Sequence, residues 1–395
     1  MYLPAASTQF RGDALPAAEA ADAPLDVGVI GTAAGFAALE ADWNDLFRRS
    51  ANPQQVFQDH GFLSEWARHY LGPGDALRVV TGRRNGRLVM AWPLLLRRRL
   101  GVATLGFMGT PVAQFGDVLV DREEVIPALL ATGWSAVEEL GADLFEARKV
   151  RADSMLALSP AFPSGIVLER LEAPFADLGT RVASDGPGPA YSARERSNYR
   201  RRMRRLEERG AITLSAVGPG PLATALAAEA ITLKRAWVVA NGIPAPAVVD
   251  PRFASFFAGV AARTDGPATL QVSLIECDGR NVGIDLSFDC KGTTFGHVIA
   301  GALCFEREGI GSVLVHHVLA NARARGNTRF DLLAPADPYK LGHADGSVAV
   351  CDLAFPFTRL GRLAGAVALK RLRPAAKALA RRLPAAVSRA LARHR

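Results

Sequence analysis

The sequence predicts an α/β (α+β) fold in which one plan, a mixed sheet flanked by helices, is run twice in tandem. Three observations predict it. Two tight-hairpin dipeptides, Asn85-Gly86 and Asp278-Gly279, stand 193 positions apart, each between strand-like runs. A helix–glycine–strand junction at Gly141 has a counterpart at Gly326, 185 positions on. The second copy alone carries a glycine turn, Gly309-Ile310-Gly311-Ser312, directly before a helical run. Offsets this similar indicate an internal duplication.

The elements follow in order. Residues 1–25 are Ala/Pro-rich and read as a disordered leader ending near Pro24. In the first half, 26–170, Leu77–Thr81 and Arg87–Leu96 read as strands, and Val125–Leu140 reads as a helix. Ser159–Pro189, rich in Pro and Gly, reads as a linker or crossover. The second half, 171–358, begins with Arg194–Arg209, which holds eight arginines and three glutamates. Tyr199, Met203 and Leu206 form a narrow apolar stripe at helical spacing there. Two readings stay open for the arginines: a solvated face paired with Glu207 and Glu208, or an electrostatic funnel for anions. Helices at Pro221–Ala240 and Pro251–Ala262 precede strands at Ala268–Cys277, Asn281–Cys290 and Thr293–Ala300. A helix at Val313–Arg325 and a strand from Phe330 close the unit.

Composition bounds the class. The chain has 395 residues, 49% of them hydrophobic, enough for packed cores. No run of 18 uninterrupted apolar residues is present, so no membrane-spanning helix is expected. Cys277, Cys290, Cys304 and Cys351 are scattered, without C-x-x-C spacing, and read as buried reduced thiols of a cytoplasmic protein. The segment 359–395 carries 11 basic residues and no acid, so a net charge of +8 becomes −3 once it is set aside. The body is therefore not a nucleic-acid surface by composition. The tail alternates Ala/Leu/Val with Arg/Lys and is broken by Pro374 and Pro384. Such short amphipathic helices suit an anionic membrane surface, and they also suit nucleic acid or plain solvent.

Over roughly 300 residues the chain resembles the GNAT acyl-CoA-dependent N-acyltransferases. The likeness rests on Val56-Phe57-Gln58 with Trp66, Pro93-Leu94, Phe115-Gly116-Asp117, Ser197-Asn198-Tyr199-Arg200-Arg201, Lys234-Arg235-Ala236-Trp237, Gly311 and Tyr339-Lys340. Within that superfamily it is similar to the CelD/BcsL type associated with bacterial cellulose biosynthesis, and distantly to the Fem peptidyltransferases. The resemblance implies acetyl-CoA as co-substrate, no metal, and a small-molecule or glycan-precursor acceptor. Where the family places Gln or Arg three residues before its first glycine, this chain has Glu306, with Arg307 one position later.

The cofactor site is expected in the second half only. Backbone N–H groups of Gly309, Ile310, Gly311 and Ser312 at a helix start would receive phosphates. The first half has Asp121-Arg122-Glu123-Glu124 instead, which would repel them, and is expected to wall the acceptor groove. The strand through His297, Val298 and Ile299 would present backbone donors to the acyl carbonyl, with Gly301 letting it open. Three candidates for the base survive: Asp285, Asp289 and His297. Asp285, Ser287 and Asp289 share a face at period two, and a half-exposed polar face is the plainer reading. The resemblance implies that Tyr339 protonates the thiolate and that Lys340 holds phosphate or an anionic acceptor; a packed tyrosine beside a solvated lysine stays open. Arg307 is a further anion-binding candidate. His316 and His317 read as structural. No Gly-x-Ser-x-Gly elbow, Walker loop or His-Glu-x-x-His is present.

The expected activity is direct acyl transfer from CoA to an amine or hydroxyl in a ternary complex. The rivals are a Fem-like aminoacyl-tRNA-dependent transferase and a non-catalytic scaffold in a polysaccharide-synthesis complex. The expected location is cytoplasmic, with peripheral contact at the inner face of the cytoplasmic membrane.

Overall fold

The computed structural model describes residues 23–183 and 186–366. Most of the leader expected at 1–25, and the basic tail from residue 367 onward, lie outside the described residues.

The first half runs β1 (Asp26–Ile30), α1 (Ala33–Ala38), α2 (Glu40–Ser50), α3 (His60–Tyr70), β2 (Asp75–Leu77), β3 (Val79–Arg84), β4 (Arg87–Trp92), β5 (Leu94–Arg99), β6 (Val102–Phe107), β7 (Leu119–Val120), α4 (Ile126–Glu138), β8 (Leu144–Arg151) and β9 (Ile166–Asp177). A short connection, α5 (Leu178–Arg181), β10 (Val182–Ala183) and β11 (Gly186–Pro187), leads to the second half. That half runs α6 (Ala193–Glu207), β12 (Ile212–Val217), α7 (Pro221–Ala240), α8 (Pro246–Val249), α9 (Pro251–Ala262), β13 (Thr269–Cys277), β14 (Arg280–Cys290), β15 (Thr293–Gly301), α10 (Ile310–Ala324), β16 (Arg329–Asp331), α11 (Pro338–Leu341), β17 (Gly346–Pro356) and α12 (Arg359–Leu363).

Local chemistry explains the best-defined elements. Both hairpins turn with two residues at positive φ: Asn85 at 51° with Gly86 at 78°, and Asp278 at 50° with Gly279 at 72°. That is the two-residue turn whose twist matches paired strands. The arginine-rich α6 is started by a capping box, in which Ser192 accepts from the Glu195 N–H at 3.2 Å and Glu195 accepts from the Ser192 N–H at 2.7 Å.

The duplication is visible in the strand order. A four-stranded antiparallel sheet, β1-β3-β4-β7, repeats the order β12-β13-β14-β15 of the larger sheet. That larger sheet has eleven strands, β12-β13-β14-β15-β16-β9-β17-β8-β6-β5-β2. Its centre is symmetric: β15 lies parallel to β16 and β6 parallel to β8, while β16-β9, β9-β17 and β17-β8 are antiparallel. Each half therefore lends its last strand to the other, β9 beside β16 and β17 beside β8.

Several expectations are corrected. The segment 159–189 is not simply a linker, since it contains the twelve-residue β9 in the middle of the sheet. The expected boundary at 170/171 falls inside that strand. Arg87–Leu96 is two strands, because Pro93 separates β4 in the small sheet from β5 in the large one. All four cysteines are free; Cys277 and Cys290 are buried, Cys351 is half-buried, and Cys304 is exposed on the turn before α10.

Between the halves, Phe57 and Phe62 of the first pack edge-on against Phe288 of β14, and Phe62 also meets Phe256 of α9. Each such ring removes apolar surface from water, worth roughly 1.5–3 kcal/mol per buried side chain. This core fixes β14 and β15 against the first half.

Candidate functional site

The site is built where β15 and β16 part. They pair over Thr293–Phe295 and Arg329–Asp331, after which β15 runs on to Gly301 without that partner. β16 is drawn away because the Leu332 N–H donates to Pro174 O at 2.8 Å and Leu333 turns the chain at φ 60°. A bulge lies opposite Leu286/Ser287, where Val298 pairs with Leu286 and Gly296 with Ser287, leaving His297 between them. At Gly296 a Cβ would meet the Phe330 ring at 2.7 Å, so the residue there has to be small.

A cavity of about 490 Å³ opens at this parting. Ile299, Gly301 and Ala302 form one wall, Ile310, Gly311, Ser312 and Val315 another. Arg202 of α6, Lys234 and Trp237 of α7, Glu306, Tyr339 and His343 complete it. The size suits a small-molecule ligand.

The N-terminus of α10 points into the cavity. Gly309 caps the helix at φ 85°, a left-handed conformation that favours glycine. Of the four amides expected to receive phosphates, Gly309 N–H already donates to Glu306 O at 3.1 Å and Ser312 N–H to Gly309 O at 3.0 Å, which leaves those of Ile310 and Gly311, with the helix dipole, to favour an anion. Arg202 reaches the same place: its Nη1 donates to Ser312 Oγ at 2.6 Å, and a Cβ on Gly309 would lie 2.8 Å from Arg202 Cδ. A guanidinium beside free helix amides is a site for a phosphate.

The cavity also holds proton-carrying groups. The Tyr339 ring is part-exposed at the cavity mouth, and its phenol is held above the ordinary value by local desolvation first and then by the charges of Asp337 and Asp285. It stays protonated and so remains a proton donor. Tyr191 Oη and His343 Nδ1 lie 2.6 Å apart, and burial beside Arg181 pushes His343 down to about 4, so its ring is neutral. Lys234 Nζ donates to Ile299 O at 3.0 Å and lies over the Trp237 ring, and burial lowers its pKa. Glu306 is the acid at the rim, accepting from Trp237 Nε1 at 3.2 Å.

The expected residues do not all meet here. Gly309, Ile310, Gly311, Ser312, Ile299 and Tyr339 gather at the cavity. Val298 faces the other way, into the core shared by the halves. Arg307 is exposed and does not line the cavity. Lys340 is neither solvated nor on the cavity wall: it is buried, with Nζ donating to Leu333 O and Pro335 O, both at 2.9 Å. It braces the loop that carries Tyr339.

The three base candidates also separate. Asp285 and Ser287 are fully buried, not half-exposed, since α10 covers their face of β14. Asp285 accepts from the Ser287 hydroxyl through Oδ2, its Oδ1 has no partner, and burial pushes its pKa up to about 7. Asp289 is committed to Arg325 at 2.6 Å and to the Thr294 hydroxyl at 2.6 Å. The bulge puts His297 on the opposite face, among Phe57, Phe257 and Phe288, with Nε2 2.7 Å from Val112 O. Burial pushes it down to about 4. His316 and His317 are buried, as a structural role requires, His317 bonding Ser215 O at 2.8 Å.

Sequence reasoning passed over Arg202 and His343. Arg202 was one of eight arginines with nothing to single it out, and His343 sits in a loop without a motif. Lys234 and Trp237 carried a signal, three apart on a helix and so on one face.

Residues 193–341 match the family model described as an acetyltransferase (GNAT) domain. Among curated proteins, none matches this sequence. Among solved structures, FemX superposes with a TM-score of 0.55 at 13% identity, covering 83% of this chain and 98% of its own. The C-terminal domain of an Agrobacterium fabrum protein described as a lysylphosphatidylglycerol synthetase gives 0.50 at 12%, covering 85% and 96%. A tandem GNAT protein from the clavulanic acid biosynthesis pathway gives 0.46 at 14%, covering 84% and 99%. The first two likenesses show the fold over most of the chain, and the family model marks a GNAT acetyltransferase domain around the cavity.

Proposed function

We propose that this chain is an acyl-CoA-dependent acyltransferase with its donor site in the β15–β16 cavity. The observation that carries the reading is the meeting of an open strand edge, the α10 N-terminus and Arg202 in one cavity within the matched GNAT domain. The α10 amides and Arg202 would take the donor's phosphates, and the thioester would lie along β15. An acceptor nitrogen or oxygen then attacks the carbonyl carbon, the C–S bond breaks, and a proton reaches the departing sulfur, for which Tyr339 is placed. Asp285 is the acid nearest in register to Ile299 and is proposed as the base, acting through a water or a side-chain shift.

We further propose acetyl as the acyl group and a sugar or envelope-polysaccharide precursor as the acceptor, of the cellulose-associated type. A cytoplasmic chain touching the membrane through its basic tail fits that acceptor. Equal binding of anionic vesicles by the full chain and by a chain ending at residue 358 would remove the membrane element. A second reading, a Fem-like aminoacyl donor, is favoured by Glu306, whose carboxylate at the rim opposes a pyrophosphate.

The test is a thermal shift with acetyl-CoA and with free CoA, on the parent and on Gly311→Asp. A Cβ at Gly311 meets nothing within 4 Å, so Asp adds charge without a clash. Ligand at 100 times its Kd stabilises by about 2.7 kcal/mol. A rise in the parent that is lost in Gly311→Asp supports the reading. No rise at millimolar ligand rejects it and leaves the aminoacyl and scaffold alternatives.

A further inference from the structure

The first half has its own parting of parallel strands. β6 pairs with β8 over Thr104–Gly106 and Leu144–Glu146, and the chain then diverges as β15 does from β16. A second cavity, of about 320 Å³, lies in that gap. Its walls are largely apolar, with Phe107, Met108 and Phe115, and no acidic side chain lines it. Two cations do: Lys149, and Arg148, whose Nε lies 3.4 Å from Asp352 Oδ2 and 3.7 Å from Glu146 Oε1.

Lys149 is the unusual member. It is a non-glycine residue at φ 53°, held there because its N–H donates to Asp352 Oδ1 at 2.8 Å across a β-irregularity in β17. Backbone of this kind persists where the surroundings over-determine it, often at ligand sites. Its ammonium donates to the neutral Gln114 amide oxygen. Burial, then Arg148, lowers its pKa to about 8, against the opposing charges of Asp352 and Glu169. An ammonium so placed gains from an incoming anion. Gln114 in turn lies 3.4 Å from His297 Nε2, two residues from Ile299 on β15. The second cavity thus backs onto the strand that walls the first, from the opposite face.

We infer that the β6–β8 cavity binds the carboxylate of an apolar acceptor, with Lys149 and Arg148 as its anchors. That the bound acid is the acceptor rests on the acyl-transfer reading; the anion site does not. A molecule held by its carboxylate there can direct an amine or hydroxyl toward the β15 opening. The chemistry selected is a monocarboxylate with an apolar body, since Arg148 is already paired with Asp352 and Glu146 and one uncompensated positive charge, that of the half-buried Lys149, is left to offset.

The experiment titrates the full chain with phenylacetate and hexanoate, against phenylacetamide and hexanamide, by calorimetry. The acids are expected to bind at about millimolar Kd or tighter and the amides not at all. Lys149→Met is expected to weaken the acids by at least about tenfold, the usual loss of a charge-assisted hydrogen bond. Arg148→Gln carries the same test should Lys149→Met fail to fold. Equal binding of acids and amides, unchanged acid binding in the variants, or no binding of either acid at about 10 mM overturns the inference. CoA is titrated into the same proteins. CoA binding without acid binding sinks the carboxylate site and spares the transferase reading, whereas acid binding without CoA binding does the reverse.

Discussion

Arg151 Nη1 lies 2.7 Å from Asp331 Oδ2, joining the end of β8 in the first half to the end of β16 in the second. Their side chains are 4% and 3% exposed. Asp331 spends its other oxygen on the Leu333 N–H at 2.8 Å, and so holds the turn at which β16 leaves β15. The pair therefore fixes the parting at which the donor cavity opens. It does not face the cavity, and Asp331 is a positioning residue.

Removing one partner of a buried pair leaves an uncompensated charge, at a cost of about 3–5 kcal/mol. Arg151→Met is expected to lower the urea midpoint accordingly, and Arg151→Met/Asp331→Leu to recover part of the loss. A single variant with the parent's midpoint would show that the pair does not couple the halves.

The two glycines before and within α10 separate on stability. Gly309 has φ 85° and Arg202 within 2.8 Å of a Cβ, while Gly311 has open space. Gly309→Ala is expected to cost about 1 kcal/mol or more, since alanine resists positive φ. Gly311→Ala is expected to be neutral or up to about 1 kcal/mol stabilising, by helix propensity. Thermal melts of both, without ligand, decide it; the reverse order would mean that the capping geometry is not as described.

What the sequence revealed was local. Asn85-Gly86, Asp278-Gly279 and the glycines before α10 act through their own backbones, so their neighbours suffice to read them. The exchange of β9 and β17 was hidden, because Pro174 pairs with Ser347 across the chain and no nearby residue records it. Asp285 was misjudged for a similar reason. Its alternation with Ser287 and Asp289 reads as a polar outer face, yet α10, some thirty residues later, covers it. Arg202 was indistinguishable because its role is set by Ser312, 110 residues away.

Arg202 is expected to dominate donor phosphate binding. It is the α6 arginine that bonds α10, whereas Arg204 is exposed. Losing a charge-assisted contact costs about 1.5–3 kcal/mol, so Arg202→Ala should weaken CoA by roughly ten- to a hundredfold, with Arg204→Ala near the parent. Calorimetry at two salt concentrations checks this. Equal losses from both substitutions would mean that the helix acts as a diffuse field and that Arg202 has no special place.

Asp285 ties the stability of the chain to pH. Its folded-state pKa, about 7, lies above the ordinary 3.8, and burial is the main cause. Between those values the folded chain keeps a proton that the unfolded chain has released, so stability falls as pH rises from about 4 to about 7 and then levels. Asp285→Asn keeps the shape and has no proton to lose. It is expected to match the parent near pH 4 and to exceed it above pH 7, by on the order of a few kcal/mol. Asp59 and Asp117, whose pKa values are also raised, titrate in both proteins and drop out of the difference. Acyl transfer should respond in the opposite sense. If Asp285 accepts the acceptor's proton, parent activity rises through about pH 7 and Asp285→Asn is slow at every pH, by a factor of about 100 or more. A stabilised Asp285→Asn with full activity would keep the buried carboxyl and discard the base.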